Sequence, residues 1–310
     1  MKPLPDGQSS SHIPVLLDEV LENLVQSLSG TYVDATFGRG GHSRALLARL
    51  NPEARVIGLD RDDEAVAEGA RLASEDSRFE IHHSRFSAIA EYVDTPVEGV
   101  LLDIGVSSPQ LDRAQRGFSF LKDGPLDMRM DRTAGRTAQE LIDELSEQDL
   151  AAILFRFGEE RHARRIAAAI CRARPVTGTV ELATIVSDAV PARYRHGAKH
   201  PATRTFQALR IYLNDEEAEL QEGLRQSFSL LRAGGRLAVI TFHSLEDRIV
   251  KRYFRSLTRP PELPRQLPLR EDQLVVEARD VAGPLKAGRR EVDANPRARS
   301  ATLRVIERHG

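Results

Sequence analysis

The sequence predicts an α/β protein: a doubly wound, mostly parallel sheet with an antiparallel edge strand and an inserted all-helical segment. Three observations predict it. A glycine-rich turn, Phe37-Gly38-Arg39-Gly40-Gly41-His42, joins a short β-rich run (Thr31 to Ala35) to Arg44–Leu50, which has helical periodicity. A second β-rich run, Arg55 to Leu59, ends in Asp60, nineteen positions after Gly41. That is where an acid grips ribose hydroxyls in a doubly wound sheet. Strand–helix alternation then holds to about residue 112 and gives way to helices until about residue 211.

Taken in order, His12 to Leu28 reads as a helix, with Leu17, Val20, Leu21, Leu24 and Val25 at 3.6-type spacing and Gly30 ending it. After the second strand, Asp63 to Ala73 is a helix and Phe79–His83 a third strand, followed by the loop Ser84–Ser87. Phe86 in that loop either lies against an adenine or packs into the interior. Val97 to Ile104 is the fourth strand, apolar enough for a sheet centre. It leads into Asp103-Ile104-Gly105-Val106-Ser107-Ser108-Pro109-Gln110.

The glycine-rich turn limits the ligand. Glycine allows positive φ and close backbone approach, and free N–H groups at a helix start attract electron-rich groups. The run departs from G-x-G-x-x-G, because Ser43 stands where the last glycine belongs. Asp34 also lies four positions before Gly38. A carboxylate there repels a pyrophosphate and attracts a sulfonium or ammonium, which favours S-adenosylmethionine over NAD. The Ser108-Pro109-Gln110 run is an imperfect version of the (Asp/Asn/Ser)-Pro-Pro-aromatic sequence of amino-group methyltransferases. A base amine is a poor nucleophile because its lone pair is delocalised. Carbonyl and hydroxyl acceptors on its N–H groups favour the pyramidal form and aim it. Standing alone, the run would read as a plain turn.

Bulk numbers fit a soluble globular chain. Its 310 residues suit one large domain or a domain with an insertion, with 41% hydrophobic and 29% charged residues. A net charge of −2 confines any nucleic-acid surface to a local patch. No apolar signal or membrane-spanning stretch is expected. The one cysteine, Cys171, cannot pair within the chain, which suits a reducing cytoplasm; it reads as a small core residue.

Residues 112 to 135 are rich in glycine and aspartate and too particular for a linker. Phe118 or Phe120 could supply the aromatic that the Ser-Pro run lacks. Thr137–Glu140 and Ser146–Asp149 read as capping boxes, Glu160 to Cys171 and Thr179 to Ala189 as helices. Between Pro191 and Asn214 stand Arg193, Arg195, Lys199, Arg204 and Arg210 with no acid. Such a run is either a solvated face or a phosphate-contacting one; His196, His200 and Phe206 favour the second. His196 and His200, four apart, lack the acid or cysteine that would make a metal site. Asp215 to Leu231 is a helix stopped by Gly234-Gly235, and Arg236 to Phe242 the fifth strand. Ser244–Asp247 fits a capping box for a helix from Asp247 to Leu257, while His243 has less structural explanation and could reach the cleft. Residues 258 to 296 read as irregular, and Ala301 to Glu307 as an antiparallel edge strand.

Several runs together resemble the bacterial 16S ribosomal RNA (cytosine-N4) methyltransferase family, the MraW-like enzymes. They are His12-Ile-Pro-Val-Leu-Leu17, Asp34 through His42, Asp103 through Gln110, Gly117-Phe-Ser-Phe120 and Gly124-Pro-Leu-Asp-Met-Arg-Met-Asp131. His200 through Gln207, Phe242 through Asp247 and Asn295 through Ser300 complete the set, in order and nearly end to end. The resemblance implies a Rossmann-like class I methyltransferase core, residues 1–112 and 212–310, with a helical RNA-recognition insertion, 113–211. It implies methyl transfer from S-adenosylmethionine to N4 of a cytidine in the decoding centre of the small-subunit RNA. The implied cofactor site is Gly40, Gly41, His42, Asp60, Phe86, Asp103 and Gln110, with Asp34 from the charge argument; Ser108, Pro109 and His243 are the catalytic candidates. Small ribosomal subunit RNA is the expected partner. No metal and no membrane are expected, and the chain could be a monomer or a homodimer.

Overall fold

The computed structural model describes residues 14–195, 200–260 and 276–310. The His12-Ile13 start of the first expected helix, His196, Lys199 and residues 261–275 of the proline-rich crossing lie outside them. Seven strands make one sheet: β1 (Thr31–Asp34), β2 (Arg55–Asp60), β3 (Phe79–His83), β4 (Val97–Asp103), β5 (Leu231–Thr241), β6 (Ala278–Leu285) and β7 (Thr302–Arg308). Their spatial order is 3-2-1-4-5-7-6. The first five run parallel, while β7 is antiparallel to β5 and β6 antiparallel to β7. A Rossmann-like α/β sheet with an antiparallel edge is thus present, as the alternation predicted.

The chain divides into two compact units. One comprises Met1–Asp60, Glu64–Ile104 and Leu224–Gly310, the other Arg61–Asp63 and Gly105–Gly223. The core of the first joins Leu16, Val20, Leu24, Tyr32, Leu46, Leu101, Ile240 and Leu303 from helices and strands far apart in sequence. Each fully buried side chain of this size contributes about 1.5–3 kcal/mol.

The first helix is much shorter than its periodicity suggested. α1 spans Leu17–Leu24, with Leu16 left-handed (φ 56°) before it and Val25 extended after it. The Tyr32 hydroxyl stops it: it accepts from the N–H groups of Gln26 and Ser27, 3.1 Å each, and donates to the Ser27 carbonyl. Those N–H groups would otherwise continue the helix. α2 (Gly41–Arg49) and α3 (Asp63–Glu75) lie close to expectation.

In the second unit, α4 (Ser108–Asp112) opens with Ser107 as N-cap, Pro109 in its first turn and a Ser107–Gln110 capping box. The Ser-Pro run is therefore the first turn of a helix rather than a loop. Then come α5 (Ala138–Glu144), α6 (Glu147–Gly158), α7 (Ala163–Ala173), α8 (Thr179–Ala189) and α9 (Ala202–Leu213). Thr137 and Ser146 cap α5 and α6 as expected. α7 starts three residues later than expected because Glu159 takes a left-handed φ of 49° and Glu160 accepts the His162 N–H. Helices α6 and α9 pack together through Gly158, where a Cβ would strike the Arg204 carbonyl. Cys171 is half-buried rather than a core residue.

The boundary near residue 223 falls inside α10 (Glu216–Leu230). β5 begins five residues before the expected Arg236, because a register shift lets Leu231 pair with Val97 ahead of the Gly99–Arg236 pair. α11 (Ser244–Thr258) starts three residues early. α12 (Arg289–Ala294) follows β6. β6 corrects two expectations: part of the stretch expected to be irregular is a strand, and β7 is not the sheet edge. Its sequence, ARDVAGPL, with exposed charges and a Gly-Pro pair, has the composition of an edge strand.

Candidate cofactor site

Strand β1 ends in Asp34, which is buried and held from the following turn. The Ser43 hydroxyl donates to its Oδ2 at 2.6 Å and the Thr36 N–H to its Oδ1 at 3.4 Å. Ser43, the residue that breaks the dinucleotide pattern, therefore has a role: it fixes the Asp34 carboxyl. Burial raises that carboxyl to about 6, with the Ser43 and Thr36 hydrogen bonds working against the rise. Strand β2 ends in Asp60, whose Oδ2 accepts the Gly38 N–H at 2.7 Å. Gly40 precedes α2 at φ 71°, where a Cβ would also strike the Phe37 ring. A Cβ on Gly41 would overlap Pro14.

His42 is buried, with Nε2 3.1 Å from the Val15 carbonyl and Nδ1 3.9 Å from Asp103 Oδ2. Asp103 ends β4, and its N–H donates to Thr36 Oγ1 at 2.6 Å. Burial pushes the Asp103 carboxyl up to about 8, and the charges of Asp34 and Glu246 add to the rise. Its Oδ1 is buried with no hydrogen-bond partner among the described residues. A buried carboxylate oxygen without a donor is costly unless a ligand supplies one.

Glu246 was not singled out in the sequence. Its Oε2 accepts the N–H groups of Phe242 (2.9 Å) and His243 (3.3 Å), and Oε1 lies 2.8 Å from His243 Nε2. The capping box of α11 is His243–Glu246, not Ser244–Asp247. The available signal was a Glu three residues after a possible N-cap, but histidine is not among the favoured caps. His243, a catalytic candidate, is thus engaged in capping and in pairing with Glu246.

The first unit therefore brings Asp34, Asp103 and Glu246 within electrostatic reach, with His42 against Asp103 and Asp60 on the glycine turn. Phe86 is half-buried at the start of a short 3-10 turn, Phe86–Glu91. Gln110 belongs to the second unit, where its side chain is committed twice. Its Oε1 accepts the Ser107 N–H (2.9 Å), and Nε2 donates to Asp62 Oδ2 (2.7 Å). Buried Arg116 donates to the same Asp62 oxygen at 2.7 Å and to the Arg129 and Met130 carbonyls.

Of the two aromatic candidates, Phe118 is buried, with the Arg116 guanidinium 5.8 Å from its ring centroid. The Phe120 ring lies 4.7 Å from His200 and 4.9 Å from Phe206. The basic residues divide. Arg193 sits over the half-exposed Tyr194 ring (4.8 Å), which also meets His162 at 5.2 Å. Arg195 donates to the Val190 and Asp188 carbonyls, and Arg204 to the Glu159 carbonyl. Arg210 instead grips Glu216 with two 2.8 Å bonds, largely out of solvent. The acid missing from its own stretch comes from the start of the next helix. Among the described residues no group of three or more His, Cys, Asp or Glu could hold a metal, and no helix is long and apolar enough to cross a membrane.

A family model described as the MraW methylase family matches residues 9–309. Among solved structures, the chain is similar to an rRNA methylase from Streptococcus thermophilus: 12% identity over 95% of this chain and 94% of that one, TM-score 0.41. It is also similar to the N-methyltransferase NodS from Bradyrhizobium japonicum: 7% identity over 95% and 94%, TM-score 0.41.

Proposed function

Since the chain belongs to the MraW methylase family, we propose that it methylates N4 of a cytidine in the decoding centre of small-subunit ribosomal RNA. S-adenosylmethionine is its cofactor. The observation that carries the reading is Asp103, a raised carboxyl with an orphaned buried oxygen, set beside two further acids. This group of carboxylates fits a ligand bearing positive charge and N–H donors. When bound, S-adenosylmethionine supplies a methyl on a cationic sulfur, ready for direct transfer to a nucleophile.

The chain's own residues then have distinct tasks. Asp34, fixed by Ser43, and Asp103, set against His42 and Thr36, favour the cationic cofactor. Gly40 and Gly41 leave backbone room, and Asp60 is the candidate ribose acceptor, already orienting the turn through Gly38. Ser108 and Pro109 are the candidates for accepting N–H bonds from the target amine, which sharpens its lone pair. Gln110, tied to Asp62 and Ser107, positions that turn. Exposed Arg193, Arg195 and Arg204 in the second unit are candidate phosphate contacts. The base must be unstacked to react.

The test uses small subunits from cells lacking this protein, methyl-labelled S-adenosylmethionine and nucleoside analysis. Label in N4-methylcytidine supports the reading. Label in another nucleoside would keep the methyltransferase and overturn the substrate atom. No label, with cofactor bound, would point to another amine substrate or to an assembly factor.

A further inference from the structure

The outer face of α11 is strongly basic. Arg248, Lys251, Arg252 and Arg255 on the helix, and Arg259 just past it, are all exposed. At 100° per residue they fall in a stripe roughly 100° wide, opposite the buried Val250, Phe254 and Leu257. No acid stands between Arg248 and Pro260. The helix's acids lie in its first turn and are occupied: Glu246 by His243, and Asp247 by Arg304 at 2.8 and 3.1 Å. A solvated charged helix normally mixes signs at i, i+4 spacing; here Asp247 and Lys251 alone stand so, and Asp247 is held by Arg304.

Beside the stripe, where α11 packs near β6, is a cavity of about 260 Å³. Lys251, Arg255, Arg259 and Arg304 line it, against Asp280 as the one acid among the described lining residues. We infer that this cavity and the outer face of α11 bind consecutive backbone phosphates of an RNA. A rise of 1.5 Å per residue spreads Arg248 to Arg259 over roughly 16 Å. That is the reach of several consecutive phosphates along one strand, too long for a single phosphate or mononucleotide. Four of the five side chains are arginines, whose forked donors suit phosphate oxygens. The sequence reading placed all RNA contact in the insertion; this surface belongs to the methyltransferase unit itself. The inference rests on the RNA substrate proposed above.

The experiment measures affinity of the full chain for a fluorescent small-subunit RNA hairpin across a salt series. It compares the wild type, Lys251→Ala/Arg259→Ala, and the independent pair Arg248→Ala/Arg252→Ala. Affinity for S-adenosylmethionine, unchanged in both variants, reports an intact fold. Each double variant is expected to lose roughly tenfold in RNA affinity, and about 1.4 from the slope of log affinity against log salt, two contacts at about 0.7 each. Affinity and slope equal to wild type in both variants would overturn the inference and leave the proposed function standing. Unchanged RNA affinity with impaired methylation of intact subunits would assign the stripe to a ribosomal protein and equally overturn it. A wild type that binds no RNA also overturns it, while methyl transfer to subunits by that same protein reports separately on the proposed function.

Discussion

The charge of Asp34, at the end of β1, helps keep Asp103 protonated at the end of the neighbouring parallel strand β4. The two carboxyls are raised to about 6 and about 8. Cofactor affinity should therefore depend on pH. A cation binds the ionised forms, so affinity for S-adenosylmethionine should rise between pH 6 and 8 and level off above. S-adenosylhomocysteine, which lacks the sulfonium charge, should show a weaker dependence. Calorimetry in buffers of different ionisation enthalpy would report the released proton. A flat profile for both ligands would remove Asp103 from the charge-sensing role.

The same carboxyls make a stability prediction of opposite sign. A group raised in the folded state binds more protons folded than unfolded, so stability is fully present below the unfolded value near 3.8 and is lost as pH climbs to about 8. Asp103→Asn removes that loss. The ligand-free variant should melt a few degrees higher than wild type at pH 8, on the order of 1–2 kcal/mol given the partial exposure of the side chain. Near pH 4 the two should melt together. It should also bind S-adenosylmethionine at least tenfold more weakly. Thermal scans at both pH values, with and without cofactor, check the crossover.

Arg116 and Asp62 form a buried pair at 2.7 Å, both nearly without solvent exposure. Arg116→Ala leaves the Asp62 carboxylate without its counter-charge, at a cost of about 3–5 kcal/mol. Limited proteolysis should cut the variant within residues 105–223 much faster than wild type. Gln110→Ala, which removes one neutral donor and a cap, should cost about 1–2 kcal/mol.

Arg210 and Arg193 should behave oppositely despite lying in one basic stretch. Arg210→Ala strands the buried Glu216 and is expected to lower the melting temperature with little change in the salt slope of RNA binding. Arg193→Ala should leave melting unchanged and reduce that slope by about 0.7. Equal effects of the two on RNA binding would contradict this division.

Much of the sheet was legible because its strands announce themselves locally. Phe79–His83 and Val97–Asp103 are apolar, β-rich and punctuated by turn residues, and β1 to β4 lie where the alternation put them. What escaped depended on distant partners. The end of α1 is set by a hydroxyl on Tyr32, which helical periodicity cannot register. β6 is a strand only because β7 is beside it to pair with. At the site, the acids at strand ends were readable from position alone. Glu246 was not, because its influence on Asp103 exists only once α11 is folded against the strand ends. Arg210 looked like surface because its acid lies beyond the acid-free stretch.

Strands β4 and β5 are hydrogen-bonded neighbours, yet residues 105–223 lie between their chain segments. During synthesis the order of events follows from that. β1 to β4 emerge first, but the sheet gains β5, β7 and β6 only after the whole excursion has been made. Leu101 and Tyr32 in the half-built sheet lack the cover of Ile240 and Leu303 for that interval. The second unit is nearly contiguous in sequence and can collapse as soon as Gly223 has appeared. Maturation of this chain should therefore be inside-out in sequence, with the later-numbered middle segment acquiring protection before the earlier-numbered strands do.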